Sequence, residues 1–142
     1  MTKAEFLALV RIKLYESTAD LWTDADLYKL ADEELRSLPA KNLYREEIWK
    51  LNTTLNVDEY QLPTRTYKVE EVKLDENYPN TPADWVEQDG WTTYGGRLFL
   101  DQPADKVQPM RIYIRKMFTP LSTLATGDTI DIGDEQVECA VL

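Results

Sequence analysis

Twenty-six aspartates and glutamates supply most of the acid–base chemistry open to this sequence, which contains no histidine and one cysteine, Cys139. Without histidine, the commonest general base, the commonest zinc ligand and the Ser-His and Cys-His nucleophile pairs all drop out. Neighbouring acids do occur: Glu70 with Glu71, Asp84 with Glu87, and Asp101 with Asp105. Glycoside cleavage needs two carboxyls about 5–9 Å apart across a cleft. With so many acids, adjacent pairs arise by chance, and a solvated surface is the preferred reading. The acidic stretch from Asp128 to Glu135 lacks the alternating ligands before a glycine that a calcium loop demands, so turn and helix-cap duty is expected. Gly95-Gly96 is too short to cradle a phosphate and reads as a hairpin turn. A lone cysteine in an apolar run reads as a packed small hydrophobe. No catalytic residue, metal site or cofactor is expected.

Two groups of side chains suit binding instead. Trp85, Trp91 and Tyr94 could form a stacking platform for a sugar or base, although core or loop-anchoring duty is the preferred reading. Arg111, Arg115 and Lys116 fall on the polar side of one strand, as a solvated face or as a patch for an acidic partner.

The elements that must position these groups follow from period and punctuation. Phe6, Val10 and Leu14 lie four apart within a predicted helix over residues 2–16, widened by Leu7, Leu9 and Ile12. Burial against the rest of the domain is the preferred role for that face, with a share in a subunit interface as the alternative. A second helix starts at Thr23, whose hydroxyl caps it while Asp26 reaches back as in a capping box. Leu27, Leu30, Ala31, Leu35 and Leu38 line one face, and Pro39 ends the run.

The period then changes to two. Residues 48–54 alternate as a strand with Trp49, Leu51 and Thr53 inward, and 60–63 is a short extended stretch closed by proline. Residues 66–74 form another strand with a switch of face inside it. The long connection over 75–90 holds one helical turn at 83–87 behind Pro82. Residues 91–94 and 97–100 make a hairpin around Gly95-Gly96, and 110–116 forms a strand pairing with Leu98 and Leu100. Asp134 would cap a last helix carrying Val137, Cys139, Ala140, Val141 and Leu142. That helix is short and apolar, which calls for cover from another chain or further residues.

The expected architecture is a single α+β domain over 1–142: helical over 1–40, β-rich over 43–118, and a turn and helix over 119–142. An N-terminal helical pair precedes an antiparallel meander or sandwich-like part, and a C-terminal helix follows. The length suits one domain, able to bury roughly 70% of its unfolded surface. Four Trp, eight Tyr and three Phe argue against disorder. No run approaches the roughly 18 apolar residues of a membrane span, so no membrane is expected. The N-terminus lacks a secretory pattern, which suggests use in a cytoplasm or in a particle assembled there. A formal net charge of −10 repels nucleic-acid phosphates and favours basic or neutral partners.

The order of motifs carries a resemblance. Trp22-Thr23-Asp24-Ala25-Asp26-Leu27 opens the second helix, then come Glu59-Tyr60-Gln61-Leu62-Pro63 and Val69-Glu70-Glu71-Val72-Lys73-Leu74. Gly96-Arg97-Leu98-Phe99-Leu100, Met110 to Lys116, Pro120-Leu121-Ser122 and Asp128 follow. Over roughly residues 20–142 this resembles the tailed-phage head-to-tail adaptor (connector, or neck) proteins. The resemblance implies a homo-oligomeric ring of twelve copies docked on the portal protein at the head–tail junction of the virion, assembled in the host cytoplasm. Such a ring would offer a surface to a tail or nozzle protein and pass the genome without sequence-specific binding. Candidate contacts with a neighbouring subunit or the portal are Phe6, Val10, Leu14, Asp134, Val137, Cys139, Val141 and Leu142. The alternative is a ligand-binding β-domain, such as a carbohydrate-binding module using Trp85, Trp91 and Tyr94.

Overall fold

Thr2 and Thr23 each begin a helix for the same chemical reason. Each hydroxyl accepts the N–H of the third helical residue, and that residue's carboxylate accepts the threonine's own N–H. A computed structural model describes residues 1–16 and 21–132, and in it these caps open α1 (Lys3–Lys13) and α2 (Asp24–Ser37). Pro39 does not stop the chain turning at once: a 3-10 turn, Leu38–Lys41, carries on from α2. Asn42 then ends it in the left-handed region at φ +60°, a conformation asparagine tolerates better than most residues.

Seven strands follow: β1 (Arg45–Asn52), β2 (Glu59–Gln61), β3 (Thr66–Asp75), β4 (Trp85–Glu87), β5 (Trp91–Tyr94), β6 (Arg97–Leu100) and β7 (Pro109–Lys116). They form a four-stranded sheet in the order β1-β7-β3-β4 and a three-stranded sheet in the order β2-β6-β5. A further 3-10 turn occupies Leu121–Thr123. The chain is therefore α+β with N-terminal helices and antiparallel sheets. The expected C-terminal helix at 134–142 lies outside the described residues.

Contacts group the chain into two units, Glu46–Lys116 and Met1–Arg45 together with the chain from Met117 onward. In the helical unit, Phe6, Ala31, Leu35 and Leu38 pack with Phe118, Leu121, Ile130 and Ile132. In the β unit one apolar cluster draws on both sheets: Tyr60, Leu62 and Leu98 from one side, Val69, Val72, Met110, Ile112 and Ile114 from the other. The motif Tyr60-Gln61-Leu62 alternates as it must, with Tyr60 and Leu62 buried and Gln61 exposed. The Tyr60 hydroxyl accepts from Thr54 N at 3.2 Å and donates to Val57 O at 3.0 Å, tying β2 to the turn before it.

The switch of face expected within 66–74 is present. Register shifts between Thr66 and Lys68 and between Val69 and Glu71 let Val69 and Val72, three apart, both face the core. The hairpin also forms: Gly95 and Gly96 take φ +58° and +75°, and Tyr94 pairs with Arg97. Positive φ at both positions is the type I′ turn that matches the twist of the flanking strands.

Two expectations are corrected. Residues 83–87 do not form a helical turn, because Trp85–Glu87 pairs with the edge of β3 as β4 (Leu74 with Val86, Asp75 with Trp85). One isolated helical turn fixes several residues for a single hydrogen bond, whereas an open strand edge offers a ladder already formed. Nor does 110–116 pair with Leu98 and Leu100. The strand β6 is bonded on both sides, by β2 and β5, while β7 lies between β1 and β3. Nearness in sequence had suggested a meander, yet a strand has only two edges and both of β6's are taken.

Candidate functional site

Buried carboxylates in this protein serve backbone amides. Asp32 accepts from Leu121 N, Ser122 N and Ser122 Oγ at 2.5, 3.2 and 2.5 Å. Asp75 accepts from Asn77 N and Asp84 N at 3.1 and 2.9 Å, closing the loop between β3 and β4. Asp131 accepts from Thr119 N and Oγ1, and Asp128 from Ala125 N. The acidic stretch 128–132 thus does turn duty. Glu70 and Glu71 are drawn into ion pairs with Arg115 at 2.9 Å and Lys73 at 3.0 Å. The hydrogen bond from Lys73 to Glu71 raises the lysine's pKa. Among the described residues, no three His, Cys, Asp or Glu side chains gather as a metal site requires.

The aromatic residues separate. Trp85 lies in the four-stranded sheet with the Arg111 guanidinium 3.9 Å above its ring. Trp91, in the three-stranded sheet, packs against the β core, while Tyr94, three residues on, is exposed. An odd spacing on a strand sends side chains to opposite faces, so the two rings of β5 do not share a platform. The polar side of β7 is paired rather than vacant: Arg111 stacks on Trp85, Arg115 meets Glu70, and Lys116 meets Glu47 at 3.2 Å.

The helical unit leaves a different kind of surface. Of the expected contact residues, Phe6 is 2% exposed and belongs to the unit's own core, and Val10 is half-buried against that core. Leu14, at the end of α1, is 47% exposed. Asp134, Val137, Cys139, Val141 and Leu142 lie outside the described residues. Beside Leu14 stand Ile12 and Tyr15, 69% and 99% exposed, and Leu21, 85% exposed.

A set of polar bonds holds these apolar groups outward. Arg11 meets Glu16 at 3.0 Å and Asp24 at 2.5 Å, and donates to Trp22 O. Glu16 Oε1 in turn accepts the N–H groups of Leu21 and Trp22. The hydrogen bond to Asp24 raises the Arg11 pKa further, so the guanidinium stays charged. The end of α1 and the start of α2 are thereby pinned, with an apolar groove lined by Ala8, Ile12 and Tyr15 between Arg11 and Glu16. Periodicity alone pointed to Phe6 and missed Tyr15 and Leu21. Their signal was position, since both fall in the link between two capped helices, outside the helical period.

No family model matches the chain, and no curated protein matches it.

Proposed function

We propose that this chain is a non-enzymatic structural subunit of a bacteriophage neck, forming an adaptor ring that docks on the portal and joins capsid to tail. The observation that carries this reading is the apolar set at the end of α1, where Ile12, Leu14, Tyr15 and Leu21 face solvent while polar bonds fix the backbone beneath them. Exposed apolar side chains gathered at one end of a helix on a pinned backbone favour burial by another chain. A ring closes through a head-to-tail interface of two unlike patches, so such a set needs no copy of itself opposite.

Two further observations support the reading. The motifs behind the adaptor resemblance are residues that hold this fold: Tyr60 and Leu62 in the β core, Leu121 and Ser122 on Asp32. Such positions recur among proteins that share a core. The charge of −10 suits a channel wall along which DNA slides without sticking.

The test is mass in solution. Size-exclusion chromatography with light scattering on the natural full-length protein, alone and with a portal protein from the same genome, should show rings or a portal complex. A protein that stays monomeric in both conditions overturns the proposal.

A further inference from the structure

The four-stranded sheet ends on β1, whose eight residues make it far longer than the other outer strands: β2 and β4 have three residues and β5 has four. Short edges offer little to a second chain, whereas a long one carries a row of N–H and C=O groups ready to pair. One hydrogen bond fixes which groups those are. Thr53 N donates to Gln108 O at 2.8 Å, immediately before β7 begins. Backbone groups alternate sides along an antiparallel strand. The odd-numbered residues of β1 therefore turn to β7, and Glu46, Ile48, Lys50 and Asn52 turn to the open edge. Among the described residues, nothing beyond the sheet bonds to the backbone of these four.

Their side chains are the second, independent sign. Side chains alternate between the faces of a strand, and Leu51 packs against the β core. The even-numbered side chains take the opposite face, where all four are exposed, Ile48 to 43%. Neither Glu46 nor Lys50 has an ion-pair partner among the described residues. An acid, an isoleucine and a lysine thus stand two residues apart in a row, and this order is its own complement when reversed.

We propose that two copies of this chain pair antiparallel through their β1 edges, about a two-fold axis at Ile48. Each Ile48 then lies opposite the other, exchanging both backbone hydrogen bonds, and Glu46 of each copy lies opposite Lys50 of the other. Residues directly opposite are close enough for such pairs to attract. A wholly basic or wholly acidic strand would answer one of the two charges, and an apolar strand neither; an inverted copy answers both. Lys50 by itself guards the edge against strand addition, and Glu46 of the second copy neutralises that guard. Such a pair closes after two copies, so it stands apart from the head-to-tail ring. It is a state of the chain outside the ring, with both β1 edges covered.

Sedimentation velocity on the full chain tests this, in the Ile12→Ser/Tyr15→Ser background that removes the proposed ring contact. Salt is held at about 0.15 M, which screens the net charge of −10 beyond roughly 8 Å. The parent should dimerise with rising concentration. Glu46→Lys and Lys50→Glu each place like charges opposite at both ends of the contact, so each should weaken dimerisation about tenfold. Both positions are exposed, so the thermal unfolding of each variant should match the parent. An equal mixture of the two variants sets lysines against glutamates again and should dimerise as the parent does. A parent that stays monomeric up to its solubility limit, single variants that dimerise unchanged, or a mixture that does not recover would each overturn the proposal. None of these readings requires a ring or a portal, so their failure is separate from failure of the assembly reading.

Discussion

Asp32, in the middle of α2, accepts hydrogen bonds from the backbone of Leu121 and Ser122, 89 and 90 positions further along the chain. The carboxylate is buried, and it satisfies the free N–H groups at the start of the 3-10 turn Leu121–Thr123. That turn delivers Leu121 into the core beside Ala31 and Leu35. Replacing Asp32 by alanine strands two N–H groups, one of them buried. Asp32→Ala should lower stability by about 3 kcal/mol, read as a shift of the urea midpoint at unchanged slope. A loss under about 1 kcal/mol would mean that water replaces the carboxylate and the link is not structural.

Phe6 and Ile12 share a helix and should behave as opposites. Phe6 fills the core of its unit, so Phe6→Ala should cost about 3–5 kcal/mol. Ile12 stands in solvent, so Ile12→Ser should change stability of the isolated chain by no more than about 0.5 kcal/mol. Paired with Tyr15→Ser, the same change should abolish ring formation or portal binding while leaving the thermal unfolding of the monomer intact. Assembly that survives both substitutions would place the subunit interface elsewhere.

The helix caps predict a response to acid. Glu5 lies below the usual glutamate pKa because it accepts the Thr2 N–H and then the Thr2 hydroxyl. Asp26 lies below the usual aspartate value through the Thr23 hydroxyl and then the Thr23 N–H. A folded-state pKa below the unfolded one stabilises fully above the unfolded value, and that contribution disappears as pH falls through the folded value. Both caps should therefore hold at neutral pH and weaken below the ordinary values of 4.5 and 3.8. Denaturation followed by helical circular dichroism should show the wild type more stable than Glu5→Gln/Asp26→Asn at pH 7, with the difference vanishing in strong acid. A gap that persists in strong acid would assign the caps' effect to something other than charge.

At the hairpin, Gly96 sits at φ +75°, where a β-branched side chain is strained. Gly96→Val should cost about 1–2 kcal/mol, and Gly95→Asn should be nearly neutral because asparagine suits a type I′ turn. No side-chain or backbone atom lies within 4 Å of a Cβ added at Gly95, so crowding does not enter there. Chemical denaturation of the two variants side by side separates backbone strain from packing.

Local chemistry was legible without any fold. The Thr23–Asp26 box, the type I′ glycines, the alternation of Met110, Ile112 and Ile114, and the change of face inside 66–74 each depend on residues within a few positions of one another. Short-range sterics and hydrogen bonding decide such features, and these are written into residue type and spacing. The absence of histidine belongs to the same category, because composition needs no geometry.

Partnership across distance was decided only in three dimensions. Which strand lies beside β7 depends on which edges remain open once β2 and β5 have taken both sides of β6. Whether Glu76, Asp101, Asp105 and Gln108 meet around one cavity depends on loops closing on each other. An apolar spacing of four marks Phe6 and Leu14 alike, yet only Phe6 meets Leu35 and Leu38, because α1 reaches past the core that covers its first turns. Sequence states what each residue can bury or bond; tertiary packing determines which of those capacities the chain itself satisfies and which it leaves for another molecule.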